Sequence, residues 1–407
     1  MAALKYWVWL ASLPGLSNRS KLLLLEHFSS PEDVYYADEM AASQVEGLAA
    51  EQQALLGDKS LSRANTILSD CAKKDIFIVT MQDAQYPARL RNIYDPPVLL
   101  YGRGAMPLFD EEVPLALVGT RSCTPYGIEC AEKLGYELAQ QGAVVVSGMA
   151  KGIDAAALRG ALRAGGFPVA VLGGGVDVIY PAENRRLYED ILASGVLLSE
   201  YPPQTEPIAR HFPVRNRIMS GLSVGAVVVE APEHSGALIT ANTAIDQGRD
   251  VFAVPGPIDA PSSAGCHQLI RQGAGLVCSG WDVLEEYTAR YPQKLREMAA
   301  GMPPMPEKSG APKLPESSGK AEQPEAPTLP VIRGEQAGLT DDQIRIMQIL
   351  SEKEPLLTDE VAEQTGLPIR RVLSALTMLE IDGYAIRQGA GGYLRCVTLE
   401  ISEEVEV

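Results

Sequence analysis

The stretch LALVGTRSCTPYGIECAEKLGYELAQQGAVVV, residues 115–146, decides the fold because it moves from one hydrophobic pattern to another and back. Leu115–Val118 and Ala143–Val146 are short apolar runs without a polar residue at every second position, which is typical of strands buried on both faces. Between them, IECAEKLGYELAQQG has a helical pattern and ends on Gly142, a frequent residue just after a helix. The stretch therefore predicts two parallel strands joined by a helix.

The same alternation continues as far as residue 278. Helical patterns such as NRRLYEDILASG separate further apolar runs of the same kind. These runs lie at Pro168–Leu172, Val196–Leu198, Ala226–Val229, Val251–Val254 and Leu276–Cys278. Strands and helices that alternate in this way predict the α/β class, with a Rossmann-like doubly wound parallel sheet. Two earlier runs, IFIVT and PPVLLYG, are predicted to be strands that lead into this sheet.

Residues 1–75 alternate short helical patterns with turns. The turn Leu13-Pro14-Gly15-Leu16 joins two such patterns, as in helix-hairpin-helix or sterile-alpha-motif-like (SAM-like) modules. Hairpins of this kind can bind the DNA backbone through their amides. Only Arg19 and Lys21 supply positive charge near the turn. The segment predicts a small all-α domain, and a packing role and a DNA-binding role both stay open.

The C-terminal part of the chain changes character twice. A run rich in Pro, Glu, Lys, Ser and Gly without periodicity is typical of a flexible linker. Three helical patterns and the glycine-turned hairpin AIRQGAGGYLRC follow it and predict a winged helix. The predicted segments are thus a helical module at 1–75, a Rossmann-like domain with its lead-in strands at 76–290, a linker at 291–338, a winged helix at 339–397 and an acidic tail at 398–407.

Composition excludes several classes of protein. No apolar run in the 407 residues approaches the roughly 20 that a membrane-spanning helix needs. The N-terminal MAALKYWVWLASLPG continues into a helical pattern, so no signal peptide is expected. The six cysteines form no CxxC pair and the four histidines have no ligand spacing, so free thiols and no metal are expected. The sequence therefore predicts a soluble, cytoplasmic protein without a metal.

The distribution of charge predicts where an anion would bind. The formal net charge is −17, so the chain has no overall basic footprint for nucleic acid. Between residues 147 and 217, however, basic and acidic side chains are nearly equal in number. HFPVRNRIMSG, residues 211–221, even sets two arginines around an asparagine. An anion site is therefore expected to be local and to lie in the middle domain.

The loops after the strands are the candidate sites, because ligands of an open parallel sheet bind beyond the carboxyl ends of its strands. Arg121 ends VGTR, Lys151 lies in SGMAKG, and Ser235 stands where the N-cap of a helix is expected. Amides, hydroxyls and single cations on adjacent loops suit phosphates, and several shallow anion pockets suit the backbone of a polymer. Phe212 beside the arginines either stacks on a base or fills the core under the helix.

The usual signatures of nucleotide cofactors and of catalysis are absent from the sequence. VGTR and the glycine run LGGGVD both fail the GxGxxG pattern of dinucleotide sites, and no GxxxxGK[ST] occurs. No serine or cysteine nucleophile can be paired with a base from its spacing. We therefore expect no cofactor and interpret LGGGVD as a tight turn that shapes the rim of the sheet.

A set of long motifs points to one family. In order they are VGTR, SGMAKGIDAAALRGAL, AVLGGGVDVIYP, LLSEYPP, FPVRNRIMSGLS, VVVEAPEHSGALITA and FAVPGP. Together they closely resemble the DNA-processing protein A family, DprA, also called Smf. The resemblance covers about residues 80–290, and the helical module and winged helix match the extended form of the family.

The resemblance implies a non-enzymatic protein that binds single-stranded DNA, forms a homodimer through its Rossmann-like domain and helps to load the recombinase RecA. In naturally transformable bacteria, such a protein protects and processes the DNA that the cell takes up. Two positions depart from the family pattern, since Leu158 replaces a usual His and His267 a usual Asn. The DNA-binding residues that the resemblance implies are Gly119, Thr120, Arg121, Ser147, Gly148, Lys151, Gly152, Phe212, Arg215, Asn216, Arg217, Ser235 and Gly236.

Two other functions remain as alternatives. A Rossmann-like phosphoribohydrolase acting on nucleoside monophosphates would use a PGGxGTxxE loop, whereas this chain has EAPEHSGALITA in that region. A transcription regulator would read duplex DNA through its winged helix. That segment places Arg370 and Arg371 near the expected recognition helix but is acidic as a whole, which favours protein contact or regulation over binding in a groove.

Overall fold

The structure is a computed structural model that describes residues 3–295, 331–333, 339–351, 356–381, 384–388, 392–395 and 398–400. The chain divides into two compact units, Met1–Gly310 and Ala311–Val407. The first unit contains a bundle of helices and a nine-stranded sheet, and the second contains smaller sheets with helices. The predicted α/β class is therefore confirmed.

The N-terminal helical module, as we name residues 3–74, supplies most of a hydrophobic cluster that includes Trp9, Leu10 and Leu24. Gly15 joins the first two helices at a φ of +83°, which glycine adopts without strain. The predicted hairpin is therefore present. The helices are α1 Leu4–Ser12, α2 Asn18–Phe28, α3 Pro31–Tyr36, α4 Glu39–Ser43, α5 Ala50–Leu55 and α6 Ser62–Lys73.

The sheet has the strand order β1-β2-β6-β5-β4-β3-β7-β8-β9. Strands β3 to β9 are parallel, and β1 and β2 add an antiparallel pair beside β6. Every apolar run that was predicted to be a strand overlaps one. The strands are β1 Phe77–Thr80, β2 Leu99–Gly104, β3 Pro114–Val118, β4 Val144–Ser147, β5 Val169–Val171, β6 Val196–Ser199, β7 Gly225–Val228, β8 Asp250–Ala253 and β9 Gly275–Leu276.

Helices cover both faces of the sheet, so its middle strands are apolar on both sides. Leu117 and Val145 belong to the cluster on the face of α8, α9 and α10, whereas Val118 and Val146 belong to the cluster on the face of α11, α12 and α13. The order of strands reverses between β3 and β7, which places the topological switch point there. The helices are α7 Ala88–Arg91, α8 Pro125–Gln140, α9 Ile153–Arg163, α10 Arg185–Ser194, α11 His211–Leu222, α12 Gly236–Asp246, α13 Ala264–Arg271 and α14 Trp281–Leu284.

Helices α8 and α9 approach each other closely because glycines lie at their crossing. A Cβ atom on Gly160 of α9 would overlap the carbonyl oxygen of Glu132, and one on Gly135 of α8 would overlap that of Ala157. The missing side chains thus let the two backbones touch. This contact sets the position of α9, which begins at the carboxyl edge of β4.

The second unit has the elements of a winged helix. Strands β11, β13 and β12 pair in that order, and Ile346, Val361 and Leu376 from the three helices form a common core. Arg371 is paired with Asp342 at 2.7 Å, so only Arg370 of the two expected cations remains without an ion pair in the described part of this unit. The elements are α15 Asp341–Ile349, β11 Leu356–Leu357, α16 Thr358–Thr365, α17 Ile369–Ile381, β12 Ala385–Gln388 and β13 Gly392–Arg395.

Two short strands lie where the sequence predicted none. β10 Val331–Arg333, within the expected linker, pairs in parallel with β14 Thr398–Glu400, within the expected acidic tail. The residues VI and TL have the propensity for extended structure that explains the difference. The rest of the linker at 296–330 and 334–338, the tail at 401–407 and Cys396 lie outside the described residues, and the domain boundaries stay predictions.

We expect Gly160→Val to lower the free energy of unfolding by about 3 kcal/mol, because the new side chain forces α8 and α9 apart. Urea unfolding measures this loss. Arg159→Val places the same residue at the neighbouring exposed position and should cost under about 1 kcal/mol. Equal urea midpoints for the two variants would contradict the close packing.

Candidate functional site

An open cavity of about 560 Å³ lies at the carboxyl edge of the sheet, at the switch point between β3 and β7. The loop after β3, the loop after β7 and the first turns of α11 and α12 form its walls. The predicted site residues that line it are Gly119, Thr120, Arg121, Phe212, Arg215, Asn216, Ser235 and Gly236.

An aromatic ring and a guanidinium group form a platform on one wall of the cavity. The guanidinium carbon of Arg121 lies 4.7 Å from the centre of the Phe212 ring, and the centre of the Tyr180 ring lies 5.7 Å from the same point. Arg121 is exposed, and it forms no ion pair among the described residues. We call Arg121, Phe212 and Tyr180 the platform. It offers a base or a sugar an aromatic face and offers a phosphate a free cation.

Arg215 lines the cavity and is almost fully buried, with 3% of its surface exposed. A Cβ atom on Gly148 would overlap its guanidinium, so the glycine makes room for the charge. Nη1 donates to the carbonyl of Val171 at 2.7 Å, and Nε is buried without a partner. Burial lowers the pKa of Arg215 to about 10, although Asp154 favours its charge. The group therefore remains a cation at neutral pH.

Asp154, in the first turn of α9, is the buried carboxylate near this cation. Burial raises its pKa, whereas the charge of Arg215 and the amides of Ala150 and Gly148 oppose that rise. Neither charge therefore stands alone at the floor of the cavity. Asp154 of α9 and Arg215 of α11 thus interact electrostatically at the edge of the sheet.

Arg217, which the resemblance places among the DNA-binding residues, does not line the cavity with Arg215. Its Nη1 and Nη2 donate to both carboxylate oxygens of Glu200 at 3.0 and 2.7 Å, and Nε donates to Asp95 at 3.1 Å. Burial disfavours the charge, but Glu200 and Asp95 outweigh that effect and raise the pKa of Arg217. The side chain thus connects α11 to the loops after β6 and before β2.

The residues of SGMAKG lie mostly beside the cavity and support its floor. Ser147 is fully buried and donates to the carbonyl of Leu117 at 2.6 Å. Lys151 lies outside the cavity lining and pairs with Glu183 at 2.6 Å. Because more than half of each of these side chains is exposed, the pair contributes at most about 1 kcal/mol and holds Lys151 only weakly.

The glycines of the first two loops allow the strand ends and α9 to approach. A Cβ atom on Gly119 would lie 2.5 Å from the side chain of Ile153. Gly152 has a φ of +76° at the start of α9, a conformation that other residues rarely adopt. These two residues therefore shape the site, and of the two only Gly119 lines the cavity.

The first turn of α12 completes the cavity opposite the platform. Ser235 is its N-cap, and the side chain accepts a hydrogen bond from the amide of Ala237 at 3.2 Å. Gly236 is exposed, and its missing side chain leaves open space. Thr120 donates its amide to the carbonyl of Glu230 at 2.8 Å, which holds the β3 loop against the β7 loop. The side chain of Asn216 also faces the cavity.

Sequence reasoning missed Asp154, Tyr180 and His234, all of which line the cavity. Asp154 follows SGMAKG directly, and Tyr180 and His234 stand in AVLGGGVDVIYP and VVVEAPEHSGALITA, so the quoted motifs already contained them. His211, the first residue of α11, does not line the cavity; it forms a hydrogen bond with the carbonyl of Gly173 at 2.9 Å and stacks on Tyr201.

The described residues contain neither a metal-binding cluster nor a membrane-spanning helix. They contain no group of three or more His, Cys, Asp or Glu side chains that would hold a metal ion. None of the helices found in them combines the length and the apolar composition needed to cross a membrane. Their cysteines, Cys71, Cys123, Cys130, Cys266 and Cys278, are free thiols.

We expect Arg215→Met to lower the free energy of unfolding by about 3 kcal/mol, because Asp154 then stays buried without the charge that offsets its burial. Urea unfolding at neutral pH measures the loss. Adding Asp154→Ala should restore part of the stability. A double variant less stable than Arg215→Met would contradict the mutual dependence of the two charges.

Comparisons with known proteins agree with the motifs. Residues 77–288 match the model of the family described as DNA recombination-mediator protein A, and residues 323–392 match that of the DprA winged helix domain. DNA processing protein DprA of Streptococcus pneumoniae is 39% identical over 70% of this chain and 99% of its own length. Protein Smf of Synechocystis sp. is 34% identical over 96% of this chain and 98% of its own.

A solved structure gives the same result. The X-ray structure of DNA processing protein A (DprA) from Streptococcus pneumoniae superposes with a TM-score of 0.60 at 39% identity. The match covers 69% of this chain and 97% of that one. With the cavity at the switch point, the two family matches and relatives similar over nearly their whole length, the chain belongs to the DprA/Smf family of DNA recombination mediators and carries its C-terminal winged helix.

Proposed function

We propose that the protein binds single-stranded DNA in the cavity and acts as a recombination mediator that protects this DNA and helps to load RecA. The platform is the observation that supports the proposal most strongly. It presents the half-buried ring of Phe212 and the exposed ring of Tyr180 beside Arg121, a cation without a carboxylate partner in the described part of the chain. Bases of any sequence stack on such a ring, and the cation attracts the neighbouring phosphate.

The other cations of the site divide into two classes. Arg215 is buried and contributes its charge through the floor, whereas Lys151 is exposed and only weakly held by Glu183. A phosphate that approaches the rim of the cavity can therefore replace the carboxylate of Glu183 as the partner of Lys151. Among the described residues, Arg121 and Arg215 are the two Lys or Arg side chains that line the cavity, which implies that stacking supplies much of the affinity.

The proposal describes a binding protein rather than an enzyme. Asp154, the carboxylate at the floor of the cavity, is buried beside Arg215 and bonded to backbone amides, so it is occupied as a structural group. The cavity is also open and spans several loops, which suits a strand that passes through. A phosphoribohydrolase or a winged-helix regulator has no specific support from this geometry.

The proposal includes a homodimer formed through the Rossmann-like domain, in the cytoplasm. Ile245 on α12 and Leu276 on β9 expose about half of their surface, 54% and 52%. Leu276 lies on the edge strand β9, and Ile245 lies on α12, which packs on β7 and β8 toward the same end of the sheet. Exposed apolar side chains at one end of a sheet are suited to contact with a second copy of the chain.

We expect Arg121→Ala to weaken the binding of a labelled single-stranded oligonucleotide about tenfold. The slope of log affinity against log salt should also fall by about 0.7, the value for one lost phosphate contact. Fluorescence anisotropy at several salt concentrations measures both. Arg271→Ala, at an exposed arginine that ends α13, is the control and should bind as the wild type does.

An Arg121→Ala variant that binds with wild-type affinity and slope would overturn the cavity as the DNA site. Phe212→Ala extends the test to stacking. It should weaken binding by about 1–3 kcal/mol per stacked base with little change in the slope, because no phosphate contact is lost.

Loading of RecA is tested on single-stranded DNA that is already covered by single-strand-binding protein. We expect the wild-type protein to shorten the lag before RecA filaments grow. The DNA-dependent hydrolysis of ATP by RecA measures this lag. Arg121→Ala should lose most of this effect because a mediator must first hold the DNA. An equal lag with and without the wild-type protein would contradict a loading role while leaving DNA binding intact.

A further inference from the structure

The glycine turn, as we name residues 173–177 after β5, supports the platform from behind. A Cβ atom on Gly173 would lie 3.0 Å from the ring of Phe212, so the bare backbone forms the surface on which this ring rests. The carbonyl of Gly173 also bonds to Nδ1 of His211 at 2.9 Å. The position of the turn therefore sets the position of the first turn of α11.

The opposite end of the same turn is held by the N-terminal helical module. Val176 is fully buried and belongs to the hydrophobic cluster of that module, together with Leu10 and Leu24. Asp177 is 8% exposed at its side chain and is paired at 2.5 Å with Lys74, the residue that follows α6. An apolar contact and a largely buried charge thus connect the module to the turn.

A second set of contacts connects α6 to the glycine turn through the loop after β6. Gln204 donates its side-chain amide to Asp70 of α6 at 2.7 Å and its backbone amide to Asp177 at 2.8 Å. Gly175 donates to the carbonyl of Thr205 at 2.9 Å. The turn is therefore fixed on both flanks, and a shift of α6 is transmitted to the backbone beneath Phe212.

We propose that the N-terminal helical module positions the DNA platform through the glycine turn, with Lys74 and Asp70 as positioning residues. The inference rests on the proposed function, because it concerns the same cavity. Neither residue lines that cavity, so each acts through the turn and not through contact with DNA. A ligand that binds the module and moves α6 thereby changes the affinity of the cavity for single strands.

The first experiment replaces Lys74 by Gln in the full chain. We expect affinity for the labelled oligonucleotide to fall about three- to tenfold, the range typical of positioning changes, with the salt slope unchanged. Lys73→Gln is the matched control, since Lys73 is exposed, adjacent in sequence, and forms no ion pair in the described part of the chain. It makes the same change in charge and should bind as the wild type does. Lys74→Arg should restore most of the affinity.

The second experiment uses a change for which simple electrostatics predicts the opposite result. Asp70→Ala removes a negative charge, which by itself favours the binding of DNA. It also removes the hydrogen bond that Asp70 accepts from Gln204. We expect weaker binding, about twofold to fivefold, with a matched Glu46→Ala control that is unchanged or slightly tighter. Thermal unfolding shows whether each variant folds. If Lys74→Gln does not fold, Asp70→Ala still tests the proposal.

The third experiment identifies the platform as the element that responds. An oligonucleotide that carries 2-aminopurine reports stacking by loss of its fluorescence, and Lys74→Gln should reduce that loss. In a Phe212→Ala background, Lys74→Gln should cause no further loss of affinity, because the group that it positions is gone.

Distinct results overturn distinct claims. Wild-type affinity in both folded variants, Lys74→Gln and Asp70→Ala, overturns the positioning role, as does a Lys74→Gln variant with a reduced salt slope, which indicates direct phosphate contact. Additive losses in the Phe212→Ala background overturn it as well. If Phe212→Ala and Arg121→Ala themselves bind as the wild type does, the proposed function fails at the cavity whatever the module does.

Discussion

The burial of one guanidinium group at the carboxyl edge of the sheet determines how the site is built. Arg215 fits there because Gly148 has no side chain, and it is held by the carbonyl of Val171 and balanced by Asp154. A buried charge needs such partners, so the ends of β4, β5 and α9 must stay together for α11 to dock. Phe212, one turn earlier on α11, is thereby brought to the rim of the cavity.

The acidity of the protein is compatible with an anion site because three carboxylates near the cavity, those of Asp95, Glu183 and Glu200, are paired with specific cations. Glu200 and Asp95 neutralise Arg217 below the surface, and Glu183 faces Lys151 at the rim. Arg121 is left as the exposed cation of the platform. Net charge therefore says little about a site whose local field is set by which cations keep a carboxylate partner.

Much of the fold could be predicted, because strands buried on both faces leave apolar runs such as Val251–Val254 that need no knowledge of distant contacts. The arginine pair shows where this reasoning stopped. Residues two apart on a helix point about 200° away from each other, so Arg215 and Arg217 separate once α11 is known to begin at His211. The carboxylate of Asp95, 122 residues away from Arg217, leaves no trace in a local pattern.

The glycine turn shows a different limit. The sequence predicts that LGGGVD is a tight turn at the rim of the sheet, and residues 173–177 follow β5 as bends and turns. The structure adds that each glycine admits a different neighbour: the Phe212 ring at Gly173, the carbonyl of Thr205 at Gly174, and the amide of Gln204 at Gly175. A turn packed on three sides is displaced only if its neighbours move with it. The glycine turn therefore connects the cavity to the helical module, whose side chains bury Val176. Through this connection the module influences the site without contacting the ligand.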